Sequence, residues 1–250
     1  MFKISYAEPI CGRHWRLRKA GDSPSPGKKL GVAWWLFPDE SHNADGGHRE
    51  YLKRPNAWKR FDPDLFEALL KIEKGKERDV RVLENPALLP NAVFAGDPVP
   101  CGARPFAKRP DERRLWLRGI QGRFKDRDLL FFDPDNGIAS EGLRPTQRRA
   151  GKSAFIGEIK ELKESHRAIV IYHHHSMFKG GHEAALRSLA GRLNEGGFRV
   201  SGALRAKPWS PRAFFILDGD DELCTRAKDI EKNWDGWIKW HSGVSLGLGG

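Results

Sequence analysis

Asp128-Leu-Leu-Phe-Phe-Asp-Pro-Asp-Asn-Gly137 is the stretch that decides the fold class. Leu129 to Phe132 is an unbroken apolar run, too short for a helix and apolar on every residue. That pattern suits a strand buried on both faces, which belongs in a parallel sheet covered by helices. Pro134 ends the run because it has no N–H for a ladder, and Asn136-Gly137 is a turn signal. Two carboxylates and an amide are thereby bunched at the carboxyl end of a buried strand, the edge at which open α/β sheets hold ligands. The same tetrapeptide, Phe-Asp-Pro-Asp, recurs at Phe61–Asp64 before Leu65, Phe66, Leu69 and Leu70. There Asp62 reads as a helix N-cap and Pro63 as the first helical residue. One copy is structural and the other is a candidate site.

Outward from this strand, similar runs repeat. Leu30–Phe37, Arg78–Leu83, Asn91–Asp97 and Ala168–Tyr172 read as further strands, and Phe198–Arg205 with Arg212–Leu217 as an antiparallel pair at one edge. Helices are expected after Asp62, over about 111–124, near 154–165, over about 181–194 and from Asp221 to Asn233. Strand and helix alternate, so the expected architecture is α/β: a mainly parallel sheet with helices on both faces and an antiparallel edge hairpin. Residues 1–29 are a basic leading segment, 30–218 the main domain, and 219–250 a C-terminal helix and Trp-rich tail packed on it.

The chain has 250 residues, with 44 Lys+Arg against 33 Asp+Glu and a net charge of +11. Its 39% apolar content, with 9 Trp and 14 Phe, excludes a disordered polycation. No apolar run approaches the roughly 20 residues of a membrane span, and Met1–Tyr6 lacks a secretory apolar region. Cys11, Cys101 and Cys224 are too few and scattered for a disulfide framework. A cytoplasmic protein with a nucleic-acid partner, DNA or RNA, is the expectation; the oligomeric state is left open. Arg113, Arg114, Arg118, Arg148 and Arg149 flank the Asp133–Gly137 turn and are the candidate phosphate contacts, with Arg13–Lys19 a second basic cluster.

In chain order, Glu84 follows the second expected strand, Gly96-Asp97 the third and Asp133-Pro134-Asp135-Asn136 the fourth, and the last two strands form a hairpin. This resembles the Rossmann-like fold of S-adenosylmethionine-dependent methyltransferases. The resemblance implies that Glu84 binds ribose hydroxyls, that Asp97 lies by the adenine, and that Leu36 and Glu40 of the turn after the first strand also face the cofactor. It further implies that Asp133 and the Pro134 carbonyl hold a base amine for methyl transfer, with Asp135, Asn136, Tyr172 and His173 completing the catalytic set. The superfamily's Gly-rich turn is replaced by Leu36-Phe37-Pro38-Asp39-Glu40, and its Pro-aromatic pair by Asp135-Asn136, so that Phe178 or Trp209 would have to stack on the base. The chain is also similar to uncharacterised bacterial proteins with a Phe-Asp-Pro-Asp-Asn-Gly motif.

A second chemistry stays open. Tyr172-His173-His174-His175 follows the fifth strand, and carboxylates with imidazoles can bind Mg²⁺ or Mn²⁺, which would make a nuclease or phosphoesterase of Asp133, Asp135 and His173–His175. Neighbouring histidines on an extended chain face opposite ways, so no metal ligand is assigned. Glu158-Ile159-Lys160 resembles a nuclease Glu-x-Lys but falls in a helical pattern. The polar loop from Asp39 to His48 is a further candidate contact. A third reading is a non-catalytic nucleic-acid-binding module.

Overall fold

The computed structural model describes residues 28–37, 50–74, 80–86, 88–102, 104–174, 178–207, 212–234 and 236–247. The basic cluster Arg13–Lys19, Glu40 with its polar loop, His175 and Trp209 lie outside them.

The apolar runs become strands β1 (Leu30–Ala33), β2 (Val93–Ala95), β3 (Leu129–Phe132), β4 (Gly137–Ile138), β5 (Ser153–Ala154), β6 (Ala168–His174), β7 (Val200–Ala206), β8 (Arg212–Leu217) and β9 (Ile238–Ser242). Helices are α1 (Pro55–Trp58), α2 (Pro63–Lys74), α3 (Arg109–Arg123), α4 (Ile156–Glu161), α5 (Gly181–Glu195) and α6 (Asp221–Asn233). Seven strands make one sheet in the order β2-β1-β3-β6-β8-β7-β9, and β4 pairs with β5 beside it. The β2-β1-β3-β6 half is parallel, while β8, β7 and β9 continue it through antiparallel pairings.

Alternate residues of each strand enter two separate cores. Leu129, Phe131, Val170 and Tyr172 meet Leu65 and Leu69 of α2 and Leu223 and Ile230 of α6 on the first face. Leu130, Phe132, Ile169 and Ile171 meet Leu117 of α3, Ile159 of α4 and Leu189 of α5 on the second. The step from β1 to β2 places its helix on the first face. The steps from β2 to β3, β3 to β6 and β6 to β7 travel the other way, with helices on the second. β8 runs in the reverse sense, and its crossover to β9 returns to the first face. Swapping faces whenever direction or strand sense reverses is what crossovers of a single hand require.

Three elements differ from the sequence-based expectation. Residues Val80–Leu83 form a 3-10 turn instead of a strand; Leu83, Leu88 and Leu89 reach the core from this turn and the one after it, so burial is satisfied without a ladder. The β7–β8 hairpin exists but is not the edge, because β8 is inserted against β6 and β9 covers β7. The Trp-rich tail supplies that last strand, and Trp234 stacks on Phe61 at 4.5 Å. The structural copy of the tetrapeptide folds as expected: Asp62 Oδ1 accepts from the Leu65 N–H at 3.0 Å and caps α2. No helix among the described residues is long and apolar enough to cross a membrane.

Candidate functional site

The chain leaves β1 toward one side of the sheet and β3 toward the other, so the strand order reverses between them. The crevice outside the carboxyl ends of strands at such a reversal is the natural ligand position of an open α/β sheet. Trp34–Phe37, Gly96-Asp97, Asp133–Gly137 and the end of β6 all arrive there. Arg212 arrives as well, since β8 runs antiparallel and its first residue lies opposite His174.

The Asp133–Gly137 turn is tied down on every side. The Asp133 N–H donates to the Ala33 carbonyl at 3.0 Å, Gly137 to Pro134 at 3.1 Å and Asn136 to Lys152 at 2.7 Å. Gly137 has φ +87, and a Cβ there would lie 2.4 Å from His173 Cα and 2.6 Å from its Nδ1. Only glycine meets both demands. The next residue, Ile138, donates its N–H to His173 Nδ1 at 3.1 Å. An accepting Nδ1 fixes a neutral imidazole with its proton on Nε2. Asp135 Oδ2 lies 3.6 Å from Lys152 Nζ, which in turn sits 4.9 Å from the centre of the Phe37 ring.

Strand alternation divides the β6 side chains. His173 turns to the second face, where its ring lies 6.4 Å from Phe215. Tyr172 turns to the first face, and its hydroxyl is 3.3 Å from His174 Nδ1. Burial pushes the Tyr172 hydroxyl pKa well up; Arg212 opposes this by charge and a hydrogen bond, and Asp133 and Asp135 add to it. Tyr172 is therefore a protonated hydrogen-bond donor at neutral pH. Asp133, which follows the Phe132–Ile171 pair, and the buried Arg212, opposite His174, thus come to the same edge as Tyr172. Trp34 lies on this same face and donates its indole N–H to Glu84 Oε1 at 2.8 Å.

Other residues singled out from the sequence are placed as follows. Glu84 stands beyond a 3-10 turn, engaged by Trp34. Asp97 is exposed and turned toward α3, with Oδ2 3.2 Å from Arg123 Nη1. Leu36 packs on the first face, and its carbonyl accepts from the Val99 N–H at 2.8 Å. Phe178 is exposed. Arg113 is only 3% exposed: its guanidinium pairs with Glu158 and donates to the Ala150 and Ser153 carbonyls. It ties α3 to the segment leading into α4 and is not a surface cation, and Glu158 is spent in the same pair. Arg114, Arg118, Arg148 and Arg149 are exposed, with Arg114 held by Asp111 at 2.9 Å. Arg212 and Trp34 are the site residues that sequence reasoning misses. An Arg opening the otherwise apolar strand Arg212-Ala-Phe-Phe-Ile-Leu217 is the available signal for the first, because a buried cation needs a partner.

The described residues do not form the cradle that S-adenosylmethionine needs in the superfamily's manner. Bare backbone is wanted after β1, yet Trp34 and Trp35 there are 3% and 1% exposed. Trp35 makes the left-handed bend itself, at φ 51, packed edge-on to Trp116 at 4.7 Å. Phe37 fills the space over Gly151, where a Cβ would meet its ring at 2.8 Å. Of the two acids, one is held by an indole and the other turns outward. Among the described residues there is also no group of three or more His, Cys, Asp or Glu placed to hold a metal ion.

No family model, curated protein or solved structure matches the chain.

Proposed function

We propose that this chain is a Rossmann-like nucleic-acid-acting protein whose carboxyl-edge cluster holds the polar edge of a base. One observation carries the reading: the strand register sets Asp133 beside Tyr172 at the carboxyl edge and brings Arg212, hydrogen-bonded to the buried Tyr172, to the same end, so that a carboxylate acceptor and a guanidinium donor share one face. A base edge offers the complement, an exocyclic amine beside a ring nitrogen or carbonyl. A carboxylate accepts from the amine, while a guanidinium or hydroxyl donates to the other group. The net charge of +11 supplies attraction for the phosphates. Because the Tyr172 hydroxyl keeps its proton and His173 Nδ1 is taken by the Ile138 N–H, the site's part in any reaction is to orient the amine. Asp133 aims the amine, with Arg212, the hydrogen-bond partner of Tyr172, as the cation of the same edge; no group in it is set up as a strong base. No step is routed through S-adenosylmethionine, since the described residues after β1, Trp34 to Phe37, present large side chains where bare backbone is wanted.

Fluorescence anisotropy with oligocytidine and oligouridine tests this. Cytosine carries an amine where uracil carries a carbonyl, so Asp133 favours oligocytidine by about 5- to 150-fold, the range of one good base contact. Asp133→Asn can present either an acceptor or a donor and abolishes the preference. Binding of neither strand, or a preference unchanged in Asp133→Asn, overturns the reading.

A further inference from the structure

Both flanks of the carboxyl edge carry exposed aromatic rings set among cations. On the second face, Phe106 is 54% exposed just before α3, with the Arg104 and Arg109 guanidinium groups 5.8 and 4.4 Å from its ring centre. Arg109 is itself buried and holds the ring in place, so the exposed Arg104 is the cation open to a phosphate. Arg109 also donates to the Thr146 carbonyl at 2.7 Å. This joins Phe106 to the loop that carries Arg148, Arg149 and Lys152, and Lys152 reaches Asp135 in the site. On the first face, Trp237 is 42% exposed and packs against Trp58 at 5.4 Å, beside the exposed Arg54, Lys59 and Arg60. The topology puts both groups at one edge. Phe106 follows β2 and Trp58 follows β1, while Trp237 precedes β9, which runs opposite to β7. The Asp133–Gly137 turn ends β3 at this same edge.

We infer that a single-stranded nucleic acid is laid across this edge, with bases stacking on Phe106 on one side and on the Trp58–Trp237 pair on the other. This rests on the proposed reading of the site and adds the form of its substrate. Rings placed among cations are what a single strand requires, because its unpaired bases expose π-faces while its phosphates need neutralising. A duplex keeps its bases stacked on one another and gains nothing from exposed rings. A base carried between two stacking platforms also reaches Asp133 without being flipped from a helix, which removes an unstacking cost.

The test measures the affinity of the full chain for a single-stranded oligocytidine and for a blunt duplex, over a range of salt concentrations. The wild type prefers the single strand. Phe106→Ala and Trp237→Ala each weaken single-strand binding by about 5- to 150-fold while leaving duplex binding unchanged. Both rings are substantially exposed, so the variants are expected to fold, which thermal melts by circular dichroism check. Asp133→Asn still binds single strands and loses its base preference. Duplex binding equal to or tighter than single-strand binding, or folded aromatic variants that bind like the wild type, overturns the inference while leaving the Asp133 reading standing. Failure to bind any nucleic acid at low salt overturns both.

Discussion

Gly137→Ala isolates the contact on which the site's geometry depends. The added methyl would start 2.4 Å from His173 Cα and 2.9 Å from the Tyr172 carbonyl, both backbone atoms of β6 that cannot swing aside. Three costs add. A left-handed φ costs a non-glycine residue about 1–2 kcal/mol. Forcing packed elements apart costs about 1–3 kcal/mol. Separating β4 from β6 loses the Ile138 to His173 hydrogen bond, about 1 kcal/mol. The total is about 3–6 kcal/mol. Gly119→Ala in α3 is the matched control: its Cβ would meet nothing within 4 Å, so helix propensity alone predicts a gain of about 0.5–1 kcal/mol. Urea unfolding of both variants, with equal slopes, measures the difference. A Gly137→Ala loss under about 1 kcal/mol would refute the reasoning, because it would mean that the turn and β6 are not in contact as described.

Other outcomes follow from the same contacts. Arg113→Met leaves Glu158 in a mostly buried position without its cation and lowers stability by about 3–5 kcal/mol; a change below about 1 kcal/mol would show that this pair does not join α3 to α4. His241 is buried, and desolvation holds its pKa below the ordinary 6.5, helped by the charges of Lys239 and Arg205 against the pull of Glu183 and Glu231. The folded state therefore resists a proton that the unfolded chain accepts below 6.5, so stability falls as pH drops through that value. His241→Gln removes this slope in urea titrations at stepped pH, and an unchanged slope would contradict it. Isothermal calorimetry with S-adenosylmethionine alone is expected to show no heat of binding; a saturable isotherm would contradict the misfit of Trp34 to Phe37 with that cofactor.

Much of the architecture is legible because burial on both faces leaves uninterrupted apolar runs. Leu129–Phe132 and Ala168–Tyr172 are examples, and the capping Asp62-Pro63 marks its helix. Residues 78–83 mislead because Val80, Val82 and Leu83 have the composition of a strand, while a 3-10 turn suffices to carry Leu83 into the core. Strand β9 is hidden for the opposite reason: Trp237-Ile-Lys-Trp-His-Ser242 mixes exposed and buried residues and looks like a tail until β7 supplies its ladder. At the site, the Asp133–Gly137 motif stands out, but its reason does not. Gly137 is required by the closeness of His173, a residue far along the chain, and spacing cannot show that. Arg113 reads as a surface cation because helical periodicity says which face a residue occupies but not that Glu158 will meet it there. Arg212 escapes notice because its hydrogen-bond partner, Tyr172, lies on a strand that only the antiparallel insertion of β8 brings alongside.

Ultraviolet crosslinking of the full chain to single-stranded oligocytidine, mapped by mass spectrometry, reports where on the sheet the base sits. Adducts are expected on the peptides carrying Asp133–Gly137 and Tyr172–His174, lost or weakened in Asp133→Asn. Adducts confined to the opposite edge of the sheet, around Arg123–Asp128, would contradict it.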